Sequence, residues 1–288
     1  MLGSPVLHSL SPVMHTAAYR ELGLTGWTYE AITCDEQGLA PFLESVGPDW
    51  AGLSLTMPLK RAVLPLLNET EQLAAVVGAA NTVLLRDGRR VGYNTDVPGM
   101  VTALREAGLS SGRDALILGS GATACSALAA IRELGATHVA VAARSSRPRA
   151  EPLLAVAARL GLAVQLVELD AEEGVAGAGT ARADETGLGS APWRLLISTI
   201  PAVGATAVAK QIESGVIRAD AVFDVGYDPW PTALATAAQS AGLVVISGYE
   251  LLVSQAAGQF ELMTGRAAPV AAMRTAGLAE LGRRRNIG

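Results

Sequence analysis

The sequence predicts an α/β protein: an N-terminal α/β domain joined to a nucleotide domain built on a doubly wound parallel sheet. Three observations carry this. From Val97 to about Ile246, short apolar runs alternate with helical stretches, the pattern of a parallel sheet covered on both faces. One of those junctions, Gly119-Ser120-Gly121, breaks a strand with two glycines and restarts the chain as a helix. The length of 288 residues also exceeds what one core usually holds, so two domains are expected, the second of the Rossmann type.

In chain order, Met1 to Pro5 opens directly on a turn. Ser9-Leu-Ser11-Pro12 reads as a helix entry, with Ser11 as N-cap, Pro12 at the first helical position and a helix over 13–22. Two hydroxyls at a helix entry can equally grip a carboxylate. Capping suits Ser11, and Ser9 is left without a structural task. Residues 27–33 alternate as a strand, 37–46 read as a helix, and 51–56 as a second strand running into Met57-Pro58-Leu59-Lys60. Pro58 cannot extend a sheet, so Lys60 starts the next helix just past the carboxyl end of that strand, where α/β proteins place ligands. Residues 70–77 are expected to be helical, and 83–86 pair with 90–93 in a hairpin turned by Asp87-Gly88. Asn94-Thr95-Asp96 follows, a polar cluster that a plain connector between domains would explain for its first two members.

In the second half, strands are expected at 114–118, 138–143, 163–167, 194–200, 221–225 and 243–246. After the first of these, Gly119 lets the chain reverse and Gly121 lets the backbone approach a pyrophosphate. Ala124 is small enough for the helix to pack on the strand. The N–H groups of Ser120, Ala122 and Thr123 surround that helix N-terminus, which offers unpaired donors and partial positive charge. At the end of the next strand, where an acid would favour NAD, stands Arg144-Ser145-Ser146-Arg147-Pro148-Arg149. Planar guanidiniums suit a 2′-phosphate, so the turn reads as an NADP site, with a solvated arginine loop as the competing reading. Residues 170–192 are acidic and Gly/Ala-rich and are expected to form a loose surface loop. Two helices, 249–264 and 270–284, close the chain.

Composition excludes several classes. A net charge of −5 gives no general attraction to nucleic acid or anionic membrane. No apolar run approaches a membrane span and the start lacks a secretory pattern, and with only two cysteines and no disulfide framework a reducing, cytoplasmic location is expected. Cys34 and Cys125 are the only cysteines, and neither they nor His8, His15 and His138 have metal-ligand spacing, so no metal is expected. The histidines are read as structural or surface residues. Of 22 basic residues only Lys60 and Lys210 are lysine. A lysine can be tuned to release a proton and an arginine cannot, so Lys60 is a candidate for proton chemistry with a nearby acid, Asp96.

Five stretches, in order, resemble the shikimate dehydrogenases: 3–15, 55–60, Gly78-Ala-Ala-Asn81-Thr82, Gly92-Tyr-Asn94-Thr95-Asp96 with the glycine turn, and 248–256. The resemblance implies reversible NADPH-dependent reduction of 3-dehydroshikimate to shikimate on the route to chorismate and aromatic amino acids, by a monomer or homodimer. It implies that Ser9 and Ser11 hold the substrate carboxylate and that Thr56, Lys60, Asn81, Asp96, Tyr227 and Gln255 surround the rest of the substrate. Lys60 and Asp96 are expected to form the catalytic pair, and the cofactor contacts are expected at 119–124, Arg144, Ser145 and either Arg147 or Arg149, joined by Thr199 and Gly248. It also implies a division into a substrate domain of 1–96 and 248–288 and an NADP domain of 97–247, because the last helices return to the first domain. Three departures stand out. The strand expected ahead of the Gly-Ser-Pro turn is missing, Ala122 replaces a frequent glycine, and Pro148 stands where relatives often carry a basic residue. Two rival readings are an NAD-using quinate/shikimate dehydrogenase, disfavoured by the arginines, and a silent NADP(H)-binding sensor, which has no use for Lys60 with Asp96.

Overall fold

The computed structural model describes residues 1–112, 114–144, 147–170, 172–176 and 193–286. The chain divides into two compact units, Met1–Gly99 with Leu252–Gly288, and Met100–Leu251.

The first unit begins with β1 (Leu2–Gly3), α1 (Ser11–Glu21), β2 (Ile32–Thr33), α2 (Glu36–Ser45), β3 (Gly52–Ser54) and α3 (Leu59–Ala62). It continues with β4 (Glu69–Thr70), α4 (Gln72–Val77), β5 (Thr82–Arg86), β6 (Arg89–Tyr93) and the start of α5 (Asp96–Glu106). Four strands form a sheet in the order β3-β5-β6-β4. The β5–β6 hairpin turns on Asp87 at φ 51° and Gly88 at φ 72°, the two positive φ values a two-residue turn needs to match strand twist. Beneath the sheet, α2 contributes Leu39 and Leu43 to a core with Leu53, Leu55, Leu59 and Val63, and this core fixes where α3 begins.

The second unit carries β7 (Asp114–Leu118), α6 (Ala122–Glu133), β8 (His138–Ala143), α7 (Arg147–Leu160), β9 (Val164–Asp170) and β10 (Gly174–Val175). Then come β11 (Trp193–Ser198), α8 (Thr206–Glu213), β12 (Ala219–Asp224), α9 (Ala233–Ser240) and β13 (Val244–Ser247). The sheet order is β10-β9-β8-β7-β11-β12-β13, parallel except for β10 against β9. Ala115 to Leu118 and Val139 to Ala142 are all buried, as strands covered on both faces must be. Strand order reverses between β7 and β11, so the carboxyl ends of those two strands form the crevice where such sheets hold ligands. The chain ends with α10 (Gly248–Thr264) and α11 (Val270–Arg285). Arg284 pins α11 to the start of the chain by donating to the His8 carbonyl.

Four sequence expectations need correction. The strand at the Gly-Ser-Pro turn is not missing: Leu2–Gly3 pairs parallel with Ile32–Thr33 in a two-stranded sheet and Leu2 bridges Leu55, two residues sufficing because both flanking segments supply partners. Of the strand expected over 27–33 only Ile32–Thr33 forms, since only those residues face β1. Thr70 belongs to β4, pairing with Gly92, and the helix starts at Gln72 after Glu71 accepts from Leu73 N through its side chain. Within the expected loop of 170–192, Gly174–Val175 turns back on β9, held by Gln211 Oε1 accepting from Val175 N at 2.9 Å. Residues 177–192 lie outside the described residues. Among the described residues, no helix is long and apolar enough to cross a membrane and no cluster of His, Cys, Asp or Glu suits a metal.

Candidate active site

Lys60 lies in the first turn of α3, anchored by Leu59, which is fully buried, and by its own carbonyl accepting from Ala80 N at 2.8 Å. Its ammonium donates to Asp96 Oδ2 at 2.6 Å. Asp96 opens α5, where a carboxylate is favoured by the helix dipole, and Asn94 caps the same helix by accepting from Val97 N at 3.1 Å. The side chains are 15% and 6% exposed, so the pair is nearly sealed with the lysine as its accessible end. An ammonium has three protons and Asp96 takes one, which leaves donors for an oxygen placed on the open side.

Asn81 organises the remainder. Its Oδ1 accepts from Thr95 N at 2.8 Å and from Thr82 Oγ1 at 2.9 Å. A backbone N–H can only donate, so this fixes which end of the carboxamide is oxygen. Nδ2 therefore faces Asp96 Oδ1 at 2.9 Å, Thr95 Oγ1 at 2.9 Å and Gln255 Oε1 at 3.4 Å. Lys60, Asn81, Asp96 and Gln255, four of the predicted residues, are thus one hydrogen-bonded group. Thr82, Thr95, Ser54 and Gln259 belong to it as well and were not singled out from sequence. Gln255 and Gln259 at helical spacing in an apolar helix were a usable signal, because two buried carboxamides on one face require partners.

Ser11 is not the N-cap it was expected to be. The helix begins at Ser11 with Leu10 as its cap residue and no side-chain cap bond. It is Ser9 Oγ that accepts from Ser11 N, at 3.1 Å, and this frees the Ser11 hydroxyl. Ser11 Oγ is buried beside the Tyr29 phenol, whose pKa burial drives far up. Among the described residues, neither Ser11 Oγ nor Tyr29 Oη has a partner within normal hydrogen-bond geometry. Thr56 is half-buried one turn ahead of Lys60, with its backbone tied to Leu2 and Leu59. His15 stacks on Tyr29 at 4.1 Å and is fully buried, and burial lowers its pKa to about 3.

In the second unit, Gly119 has φ +106°, and a Cβ there would lie 2.6 Å from Thr199 Oγ1 and 2.9 Å from Ile200. Only glycine fits this turn. Gly121, in contrast, faces nothing within 4 Å of where a Cβ would be, and it precedes α6 without a side-chain cap, so the first-turn N–H groups of Ala122, Thr123 and Ala124 lack a side-chain partner there. Ser120 lies between the two glycines. Thr199 spends its hydroxyl on the Leu118 carbonyl at 2.7 Å, which ties β11 to β7 at the crevice. Gly248 N donates to Gly226 O, and a Cβ at 248 would overlap the Val225 carbonyl. Arg144 is exposed at the end of β8. Ser145 and the side chains of Arg147 and Arg149 lie outside the described residues. Tyr227 is half-buried in the segment after β12, which Asp224 clamps by accepting from Thr232 Oγ1 at 2.6 Å and Gly226 N at 3.1 Å.

A doubly wound unit with an uncapped glycine turn, together with a unit holding a sealed lysine–carboxylate pair, defines a dinucleotide-dependent oxidoreductase. Residues 1–83 match the family described as the shikimate dehydrogenase substrate binding domain, and 248–276 match the shikimate 5′-dehydrogenase C-terminal domain. The chain belongs to the shikimate dehydrogenase family. It is 35% identical to the shikimate dehydrogenase (NADP(+)) of Methanopyrus kandleri, over 98% of this chain and 94% of that protein. Among solved structures, the shikimate dehydrogenase of Mycobacterium tuberculosis is 39% identical with a TM-score of 0.82, covering 96% of this chain and 97% of that one. The Thermus thermophilus shikimate 5-dehydrogenase, solved in complex with NADP(H) and shikimate, is 32% identical with a TM-score of 0.76, covering 96% and 97%.

Proposed function

We propose that this chain is an NADP-dependent shikimate dehydrogenase, interconverting shikimate and 3-dehydroshikimate in aromatic amino acid biosynthesis. It works in the cytoplasm as a monomer or homodimer, on small molecules alone. The observation that carries the reading is the 2.6 Å contact between Lys60 Nζ and Asp96 Oδ2 with Asn81 bonded to the other carboxylate oxygen. NADPH, when bound, supplies the hydride for ketone reduction. As charge develops on the ketone oxygen, Lys60 Nζ gives it a proton, and in the oxidation direction the same nitrogen takes the hydroxyl proton. Asp96 holds the ammonium and accepts from a neighbouring ring hydroxyl. Asn81, Gln255, Thr56 and Tyr227 bind ring hydroxyls, and Ser9 and Ser11 bind the carboxylate. The unspent Ser11 hydroxyl supports that last role, since a buried oxygen without a partner is costly unless a ligand completes it.

For the cofactor, the residues present fit. Gly119 makes the turn, Gly121 leaves open space for a pyrophosphate against the α6 N-terminus, and Arg144 supplies charge for a 2′-phosphate. The substrate domain is 1–96 with 248–288 and the NADP domain 97–247, with the change of domain falling inside α5 and near the start of α10. The test is direct: purified chain with shikimate and NADP+ should develop absorbance at the reduced-nicotinamide band. A flat trace, with NADP+ binding intact, refutes the assignment.

A further inference from the structure

We infer that Gln259 is a positioning residue for the Lys60–Asp96 pair, acting through Asn81; the inference rests on the function proposed above. Gln259 is 2% exposed, one helical turn beyond Gln255 on α10. Both ends of its carboxamide are used. Oε1 accepts from Ser54 Oγ at 2.9 Å, and Nε2 donates to the Asn81 carbonyl at 3.1 Å. That carbonyl also accepts from Leu55 N at 2.7 Å, so both of its lone pairs are engaged and the peptide carrying Asn81 is held from two sides.

From there the line to the reactive nitrogen is short. Asn81 Nδ2 donates to Asp96 Oδ1 at 2.9 Å, and Asp96 Oδ2 accepts from Lys60 Nζ at 2.6 Å. In each link chemistry dictates the direction, since a carboxamide nitrogen and an ammonium only donate and a carboxylate only accepts. At the other end, Ser54 lies beside Tyr29 and, through it, Ser11. Gln259 therefore stands between the residues proposed to hold the substrate carboxylate and the pair that moves its proton. An oxygen in place of Nε2 would set lone pair against lone pair at the Asn81 carbonyl. An apolar side chain would leave Ser54 Oγ and one lone pair of Asn81 unmatched in a buried place.

The test uses the full chain and two variants, Gln259→Leu and the milder Ser54→Ala, which removes one link only. Turnover of shikimate with NADP+ is measured beside NMR of 13C-lysine-labelled protein. Lys60 and Lys210 are the only lysines, so two Cε signals are seen, and Lys210→Arg assigns them. Gln259→Leu should lower kcat about 3- to 10-fold, the size of one well-made hydrogen bond, with the KM for NADP+ unchanged. The Lys60 signal should move while that of Lys210 stays. Ser54→Ala should give the same pattern more weakly, and it carries the test if Gln259→Leu fails to fold. Wild-type kcat with an unmoved Lys60 signal in a folded variant overturns the inference, as does a lowered melting temperature with both readouts unchanged. If the wild type does not oxidise shikimate, the functional reading falls, and the Lys60 signal alone then decides whether Gln259 positions the pair.

Discussion

Removing the Lys60 ammonium should separate charge from proton transfer. In Lys60→Met the side chain keeps an unbranched stem of similar length and loses the donor to Asp96 Oδ2 at 2.6 Å. Asp96, 6% exposed at its side chain, keeps its bond from Asn81. A fully buried broken pair would cost about 3–5 kcal/mol, but the retained bond and the 15% exposure of Lys60 bring the expected loss nearer 1.5–3 kcal/mol, that of a charge-assisted hydrogen bond. That is a fall of several degrees in Tm in a chain that still folds. Turnover should fall much further, by about 10²- to 10⁴-fold, because general acid–base catalysis is lost, while the KM for shikimate changes modestly. Lys60→Arg keeps the charge and cannot release the proton, so its kcat should fall almost as far. The assay is steady-state absorbance at the nicotinamide band with thermal unfolding of each variant. Near-wild-type kcat in Lys60→Arg would show that charge alone matters. Near-wild-type kcat in Lys60→Met would reduce the pair to an ordinary ion pair worth under about 1 kcal/mol.

Three further outcomes are expected. Arg144→Ala should raise the KM for NADP+ roughly tenfold and leave that for NAD+ nearly unchanged, as measured by cofactor titration; a parallel rise in both would make the arginine structural. Gly119→Ala should lower both Tm and NADP+ affinity, because its Cβ would lie 2.6 Å from Thr199 Oγ1 at a φ of +106°; unaltered NADP+ binding by calorimetry would contradict the close-packed turn. His15 has a folded pKa of about 3 against 6.5 for the free side chain, so the unfolded chain binds the extra proton. Stability should therefore fall as pH drops from about 6.5 toward 3, by up to about 1.4 kcal/mol per pH unit, and His15→Phe should flatten that slope in denaturant titrations. An unchanged slope would mean that His15 is protonated in the fold.

The features legible in the sequence were those written in local chemistry. The strand-glycine-helix junction at Gly119 and Gly121, the hairpin turn at Asp87-Gly88 and the proline that places Lys60 after β3 each depend on neighbours within a few residues. Alternation of apolar runs likewise located the six main strands of the second unit to within a few residues. What was not legible depends on distant partners. Ser54 and Gln259 meet their partners across 205 and 178 residues, and a side chain alone does not say which remote group it will bond. Ser11 was misread for a different reason. Ser9 and Ser11 are both good capping types, and local backbone geometry decided that Ser9 would accept from Ser11 N. β1 and β4 are two-residue strands, too short for any periodicity to announce.

The first compact unit is built from two separate pieces of chain, Met1–Gly99 and Leu252–Gly288, with the whole second unit spliced between them. Synthesis therefore delivers Lys60, Asn81 and Asp96 long before the helix that carries Gln255 and Gln259. The nucleotide unit, continuous in sequence, can fold as soon as it is made, whereas the unit holding the lysine closes its polar network only once α10 has been made. A chain cut short just after Leu251 keeps a nucleotide-binding body but leaves the Asn81 carbonyl without Gln259. Closure of the hydrogen bonds behind Lys60 thus depends on α10, the helix that returns the chain to the first unit once the second has been made.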